Sequence, residues 1–113
     1  MPAKLRVVVN GSEVFQYDKN TRHPGKQREI LDNMDLDMDE GIEINGNIIQ
    51  SPDKMQRAQY VAMNLLYGMQ IKSNSLISTT CGYLVTRLPG LNQIRAIEKG
   101  DEITMDLIFD DEN

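Results

Sequence analysis

The sequence predicts an α+β domain. Its expected frame is an antiparallel sheet from two hairpins, at about 4–17 and 93–109, packed against two or three helices. A short extra hairpin is expected at about 42–50. Three observations lead there. Asn10-Gly11 and Asn45-Gly46 each lie between apolar runs, and Asn-Gly suits the positive φ angles of a two-residue hairpin turn. Residues 103–109 alternate apolar with polar, the period of a half-buried strand. Residues 52–71 and 75–88 repeat their apolar positions at helical spacing instead.

Each element has its own local grounds. In the first hairpin Leu5, Val7 and Val9 alternate with Lys4, Arg6 and Val8, and Val14, Phe15 and Tyr17 supply the return strand. Residues 24–40 read as a helix, because Pro24 is pre-set for the first helical position and Gly41 suits the stop. Its apolar stripe is Ile30, Leu31, Met34 and Met38. Around Asn45-Gly46, a two-residue turn sets Ile44 opposite Asn47 and Ile42 opposite Ile49.

Residues 52–71 form the strongest helix. Ser51 suits its N-cap, Pro52 its first position, and Asp53 its positive dipole end. Met55, Ala58, Ala62, Leu65, Leu66 and Met69 make the inner stripe, while Tyr60, Val61, Met63 and Tyr67 make the rest of the surface apolar too, with Tyr60, Met63 and Tyr67 on the outer side. A helix apolar nearly all round is central or is covered by a partner. The third helix, 75–88, is capped by Asn74 or Ser75 and ended by Pro89-Gly90. Ile77, Cys81, Leu84 and Leu88 form its stripe, and the short link at Ser73-Asn74 makes it an antiparallel partner of the helix before it. The last hairpin turns at Lys99-Gly100, and the stretch from Asn92 to Glu98 suits a strand or a helix. Asp110-Asp111-Glu112 reads as a solvated, frayed tail.

Length and composition bound the function. At 113 residues the chain is one domain by size, and scaling buries about two-thirds of its unfolded surface. Leu, Ile, Val and Phe make up about a quarter of it, too much for a disordered polymer. The net charge of −5 argues against nucleic acid or an anionic membrane surface as partner. A single cysteine excludes an internal disulfide framework and a Cys-rich zinc site. MPAKLRVVVN has no apolar stretch long enough for a signal peptide, and no window suits a membrane span, so the expected location is cytoplasmic.

The oddest feature is the charge order of the first helix. Lys19, Arg22, Lys26 and Arg28 crowd its N-terminal end, and Asp32, Asp35, Asp37, Asp39 and Glu40 its C-terminal end. The helix macrodipole prefers the reverse, at about 0.3–1 kcal/mol for each exposed charge. The plainest reading is a solvated face with partner charges elsewhere in the fold. Two sharper readings attach to the same helix. Arg22, His23, Gly25, Lys26 and Arg28 could hold a small anion such as phosphate or a nucleotide, since free backbone N–H groups and basic side chains converge there. A phosphate-loop motif is missing. Asp35, Asp37 and Asp39 match the first three ligand positions of a calcium loop, but Glu40 stands where the turn needs Gly and Gly46 where the last Glu belongs.

Catalytic readings find less. Cys81 lies on an inner stripe, where a free Cys is normally a small buried hydrophobe, and no spacing brings the single histidine, His23, to it. No catalytic residue and no cofactor is therefore expected. The expected function is a non-enzymatic interaction module with a protein partner or a second copy of itself. Tyr60, Met63 and Tyr67 would be its apolar centre, and Asp35 and Asp39 part of an acidic surface.

Overall fold

Among the residues that the computed structural model describes (4–19, 27–44 and 46–109), the order is β1 (Lys4–Val9), β2 (Ser12–Asp18), α1 (Gln27–Asp39), β3 (Ile42–Ile44), β4 (Asn47–Ile49), α2 (Lys54–Gln70), α3 (Asn74–Arg87), β5 (Leu91–Lys99) and β6 (Glu102–Phe109). The fold class is α+β, a four-stranded mixed sheet with helices and a separate two-stranded hairpin. Two units are distinguished, residues 4–19 with 85–109, and residues 27–84.

The first unit holds the sheet, in the order β2-β1-β5-β6. Both long hairpins form as the sequence predicts. Asn10 and Gly11 take φ of 52° and 85°, and Val9 pairs with Ser12 across them. The second turn falls one residue later than expected, on Gly100-Asp101, with Lys99 opposite Glu102 and Gly100 at φ 65°. Residues 91–99 are strand throughout, which settles the helix-or-strand alternative for 92–98.

The joint between the hairpins departs from the expected antiparallel sheet. β1 and β5 run parallel, with Arg6 opposite Gln93 and Val9 opposite Ala96. A parallel pair needs a long crossover, and everything from β2 to α3 lies between these strands in the chain. The tip of the first hairpin is tied to β5 as well. Asn10 N–H donates to the Ala96 carbonyl, and Glu98 N–H donates to Asn10 Oδ1, both at 2.9 Å. One sheet face carries the buried Leu5, Val7, Ile94 and Ala96. The other carries Arg6, Glu13 and Arg95, all exposed.

A bulge explains how Glu13 reaches that second face. Val7 pairs with Phe15 but Val8 with Glu13, so Val14 has no partner in the ladder. If the register of Phe15 continued without a bulge, Val14 would stand opposite Val8, and Glu13 would turn to the other face. With it, Glu13 lies beside Arg6 at 3.8 Å and accepts from Gln16 Nε2.

The second unit holds the helices and the small hairpin. β3 and β4 pair in the expected register, Ile42 with Ile49 and Ile44 with Asn47; Asn45 lies outside the described residues. In α1, Leu31 and Met38 are buried and Met34 half-buried, while Ile30 is exposed against expectation. The expected start at His23-Pro24 lies outside the described residues.

The α2 cap is Asp53 rather than Ser51. Asp53 Oδ1 accepts from Gln56 N–H at 2.8 Å, and Gln56 Oε1 accepts from Asp53 N–H at 2.9 Å, a reciprocal capping box. Ser51 stands two residues earlier at φ 50°, outside helical geometry. The buried stripe of α2 runs Ala58, Val61, Ala62, Leu65 and Gly68. Met55, expected on it, is exposed because it lies in the first turn, ahead of Ala58 where burial begins.

The α3 cap also moves one residue back, to Ser73, whose Oγ accepts from Leu76 N–H at 3.2 Å. Residues 71–73 link α2 to α3, with Lys72 at φ 58°. At Gly68 a Cβ would come within 3.1 Å of the Leu76 side chain, so glycine permits the close approach of the two helices.

Candidate functional site

Three features of the second unit bear on function: the acidic end of α1, the interior of α3, and the outer face of α2. The acidic end of α1 is engaged by its own unit. Arg57 on α2 reaches it with a side chain only 17% exposed. Its Nη1 donates to the Asp35 carbonyl at 2.9 Å and to Asp35 Oδ1 at 3.2 Å, and its Nη2 donates to Asp39 Oδ1. Its Nε donates to the Pro52 carbonyl at 3.0 Å, which fixes the plane of the guanidinium. Tyr83 on α3 donates its hydroxyl to the same Asp35 Oδ1 at 2.5 Å. The hydrogen bond to Asp39 is the largest influence raising the Arg57 pKa above its already high value, so this cation is permanent.

The acidic end of α1 has a partner charge within the fold. Its negative pole and the carboxylates of Asp35 and Asp39 meet the Arg57 cation delivered from α2, which stands in for the basic last turn that α1 lacks. Asp35 and Asp39 lie on one helical face and meet Arg57 together, while Asp37 between them is exposed. The three aspartates therefore do not converge on a common point. Among the described residues no group of three His, Cys, Asp or Glu side chains is placed to hold a metal ion.

Cys81 is fully buried in α3, and burial pushes its thiol up to about 12. At neutral pH it holds its proton and is no nucleophile. Of the expected anion ligands, Arg28 is exposed on α1, and Arg22, His23, Gly25 and Lys26 lie outside the described residues.

The outer face of α2 is the remaining candidate. Tyr60, Met63 and Tyr67 recur at helical spacing opposite the buried stripe, and Ile71 follows one turn later. Tyr67 is 55% and Ile71 51% exposed, while Tyr60 and Met63 are half-buried. The polar neighbours on this face are Gln56 and Asn64, both uncharged. From Ala58 to Thr86 the chain carries a single charged residue, Lys72, although 26% of the whole sequence is charged. The first unit offers an alternative, an open depression on the polar sheet face beside Val8, Glu13, Arg95 and Ile97.

No family model, curated protein or solved structure matches this chain. Its functional reading rests on its own geometry.

Sequence reasoning missed Arg57 and Tyr83. A signal for Arg57 was present: an acidic helix C-terminus needs a cation, and Arg57 is the last charged residue of α2. Nothing comparable marks Tyr83, whose hydroxyl meets Asp35 across 48 residues. Among the described residues no helix is long and apolar enough to cross a membrane.

Proposed function

We propose that this chain is a non-enzymatic protein–protein interaction module whose contact surface is the outer face of α2. The observation that supports this most is the row Tyr60, Met63, Tyr67 and Ile71, partly open to solvent within an uncharged stretch of helix. Protein interfaces concentrate aromatic and Met side chains at a core depleted of charge. Tyrosine offers a large apolar ring with a polar tip, which suits a surface that is wet before binding and dry afterwards. Asp37, Glu40 and Glu43 remain exposed and can steer a partner by charge, whereas Asp35 and Asp39 are committed to Arg57.

The test is photo-crosslinking in the source cells, with a benzophenone side chain at position 67 and, as control, at the exposed Glu29 of α1. A protein adduct at 67 and none at 29 is expected. No adduct at 67, or equal adducts at both positions, overturns the reading.

A further inference from the structure

We propose that Asn10 is a modification site held shut by the folded sheet: its deamidation through Gly11 awaits release of the first hairpin's tip from β5, and the isoaspartyl product then keeps the tip from docking again. The sequence supplies the reacting pair, because glycine has no Cβ to block the approach of its own nitrogen. The Gly11 nitrogen attacks Asn10 Cγ and closes a five-membered succinimide. The N–Cγ bond forms, the Cγ–Nδ2 bond breaks, and ammonia leaves with the proton that the Gly11 nitrogen gives up. Water then opens the ring. Attack at Cγ gives an aspartyl residue, and attack at the main-chain carbonyl carbon gives isoaspartate, whose chain runs through Cγ. Asn10 and Gly11 are both exposed, so water reaches them.

Two features of the fold keep the ring from closing. The first is the turn. Asn10 and Gly11 take φ of 52° and 85° between the paired Val9 and Ser12, which is the type I′ turn. The first residue of that turn has ψ of about 30°. In an L residue this sets the Gly11 nitrogen almost opposite Cβ, whereas the ring needs it eclipsed with Cβ. The second feature is the side chain. With Val9 opposite Ala96, the parallel ladder sends the Asn10 N–H to the Ala96 carbonyl, and that bond is made at 2.9 Å. The same ladder sends the Glu98 N–H to the main-chain carbonyl of Asn10. It donates instead to Asn10 Oδ1 at 2.9 Å, so the side-chain amide replaces a main-chain acceptor as the chain leaves the strand. Reaction therefore needs the Asn10 amide freed from β5 and the turn unwound. The two products differ afterwards. An aspartyl residue keeps an oxygen for the Glu98 N–H. Isoaspartate adds a methylene to the main chain, so the two-residue turn cannot re-form.

The experiment ages the purified full chain at neutral pH and reads the mass change of the peptide that carries Asn10, separated from the one that carries the other Asn-Gly pair at 45–46. Deamidation at Asn10 should be slower in the folded chain than in urea by about tenfold or more, because only opened tips react. Equal rates overturn the proposal. Glu98→Pro removes the donor to Asn10 Oδ1 and should speed the reaction in a chain whose circular dichroism is unchanged. A folded Glu98→Pro chain that reacts no faster than the wild type overturns the role of that bond. Amide hydrogen exchange supplies a measurement independent of this variant. The isoaspartyl form, purified after ageing, should lose protection at the Glu98 amide, while Asn10→Asp should keep it. Protection of Glu98 in the isoaspartyl form as strong as in the wild type overturns the inference.

Discussion

Arg57 on α2 holds Asp35 on α1 twice, through the backbone carbonyl at 2.9 Å and the carboxylate at 3.2 Å. One guanidinium thus meets both the negative pole of a helix and the acid placed unfavourably beside it. Replacing Arg57 with Ala leaves Asp35 and Asp39 without their cation. We expect a loss of about 1–3 kcal/mol in urea unfolding, the range for removing one partner of a charged hydrogen bond. Arg57→Lys should recover only part of it, because an ammonium lacks the planar fork.

Tyr83 reaches the same Asp35 oxygen as Arg57. Tyr83→Phe should cost about 1 kcal/mol, and the double variant with Arg57→Ala should cost less than the sum of the two single losses. Groups in one network couple by about 0.5–3 kcal/mol. Additive losses would show that the two side chains act separately.

Asp53, and not Ser51, begins α2. Asp53→Ala should lose about 1 kcal/mol with the capping box. Ser51→Gly should be neutral or stabilising, since Ser51 holds φ 50° and glycine adopts that region without strain. Thermal unfolding of the pair decides between the caps.

Cys81 should resist thiol reagents in the folded chain at pH 8 and react in urea, as read by the release of a chromophoric thiol. Its folded pKa is raised by burial, from 9.0 to about 12. The folded state therefore binds the proton more tightly than the unfolded one. The resulting stability is fully present below pH 9 and is lost as pH rises towards about 12. Cys81→Ser, which keeps the volume but adds a strong polar group, should remove this alkaline dependence and destabilise at neutral pH.

Deleting Val14 should leave the hairpin folded. The bulge sets Val8 opposite Glu13 and Val7 opposite Phe15, so removing the unpaired residue between them preserves every cross-strand partner. Amide spectra should show shifts confined to β1 and β2. Deleting Glu13 instead moves Val14 onto the polar face opposite Val8 and removes the neighbour of Arg6.

The sequence was legible where the determinant is local. Asn10-Gly11 carries its own turn geometry, and the alternation of Ile103, Met105 and Leu107 needs no partner to be read as a strand. It was less legible where two local solutions compete. Ser51-Pro52-Asp53 offers two capping residues, and Gln56 decides between them by completing a box with Asp53. It was silent where residues far apart in the chain meet. The pairing of Val7 with Ile94 leaves no periodic trace in either strand, because alternation is the same beside a parallel or an antiparallel neighbour. The outer face of α2 was visible as an apolar row, but only the fold showed that Tyr67 remains open and that Asp35 and Asp39 are already engaged.

The strand order imposes a timetable on synthesis. β1 leaves the ribosome first, yet one of its two neighbours, β5, comes at residues 91–99. Until then one edge of the first hairpin has unsatisfied backbone groups beside Val7 and Val8, a template for pairing with another nascent chain. The helical segment 27–84 is contiguous and can assemble in the interval from its own sequence. Completion of the sheet is therefore the last step, and a polypeptide released before β5 would carry an orphan hairpin edge that aggregates.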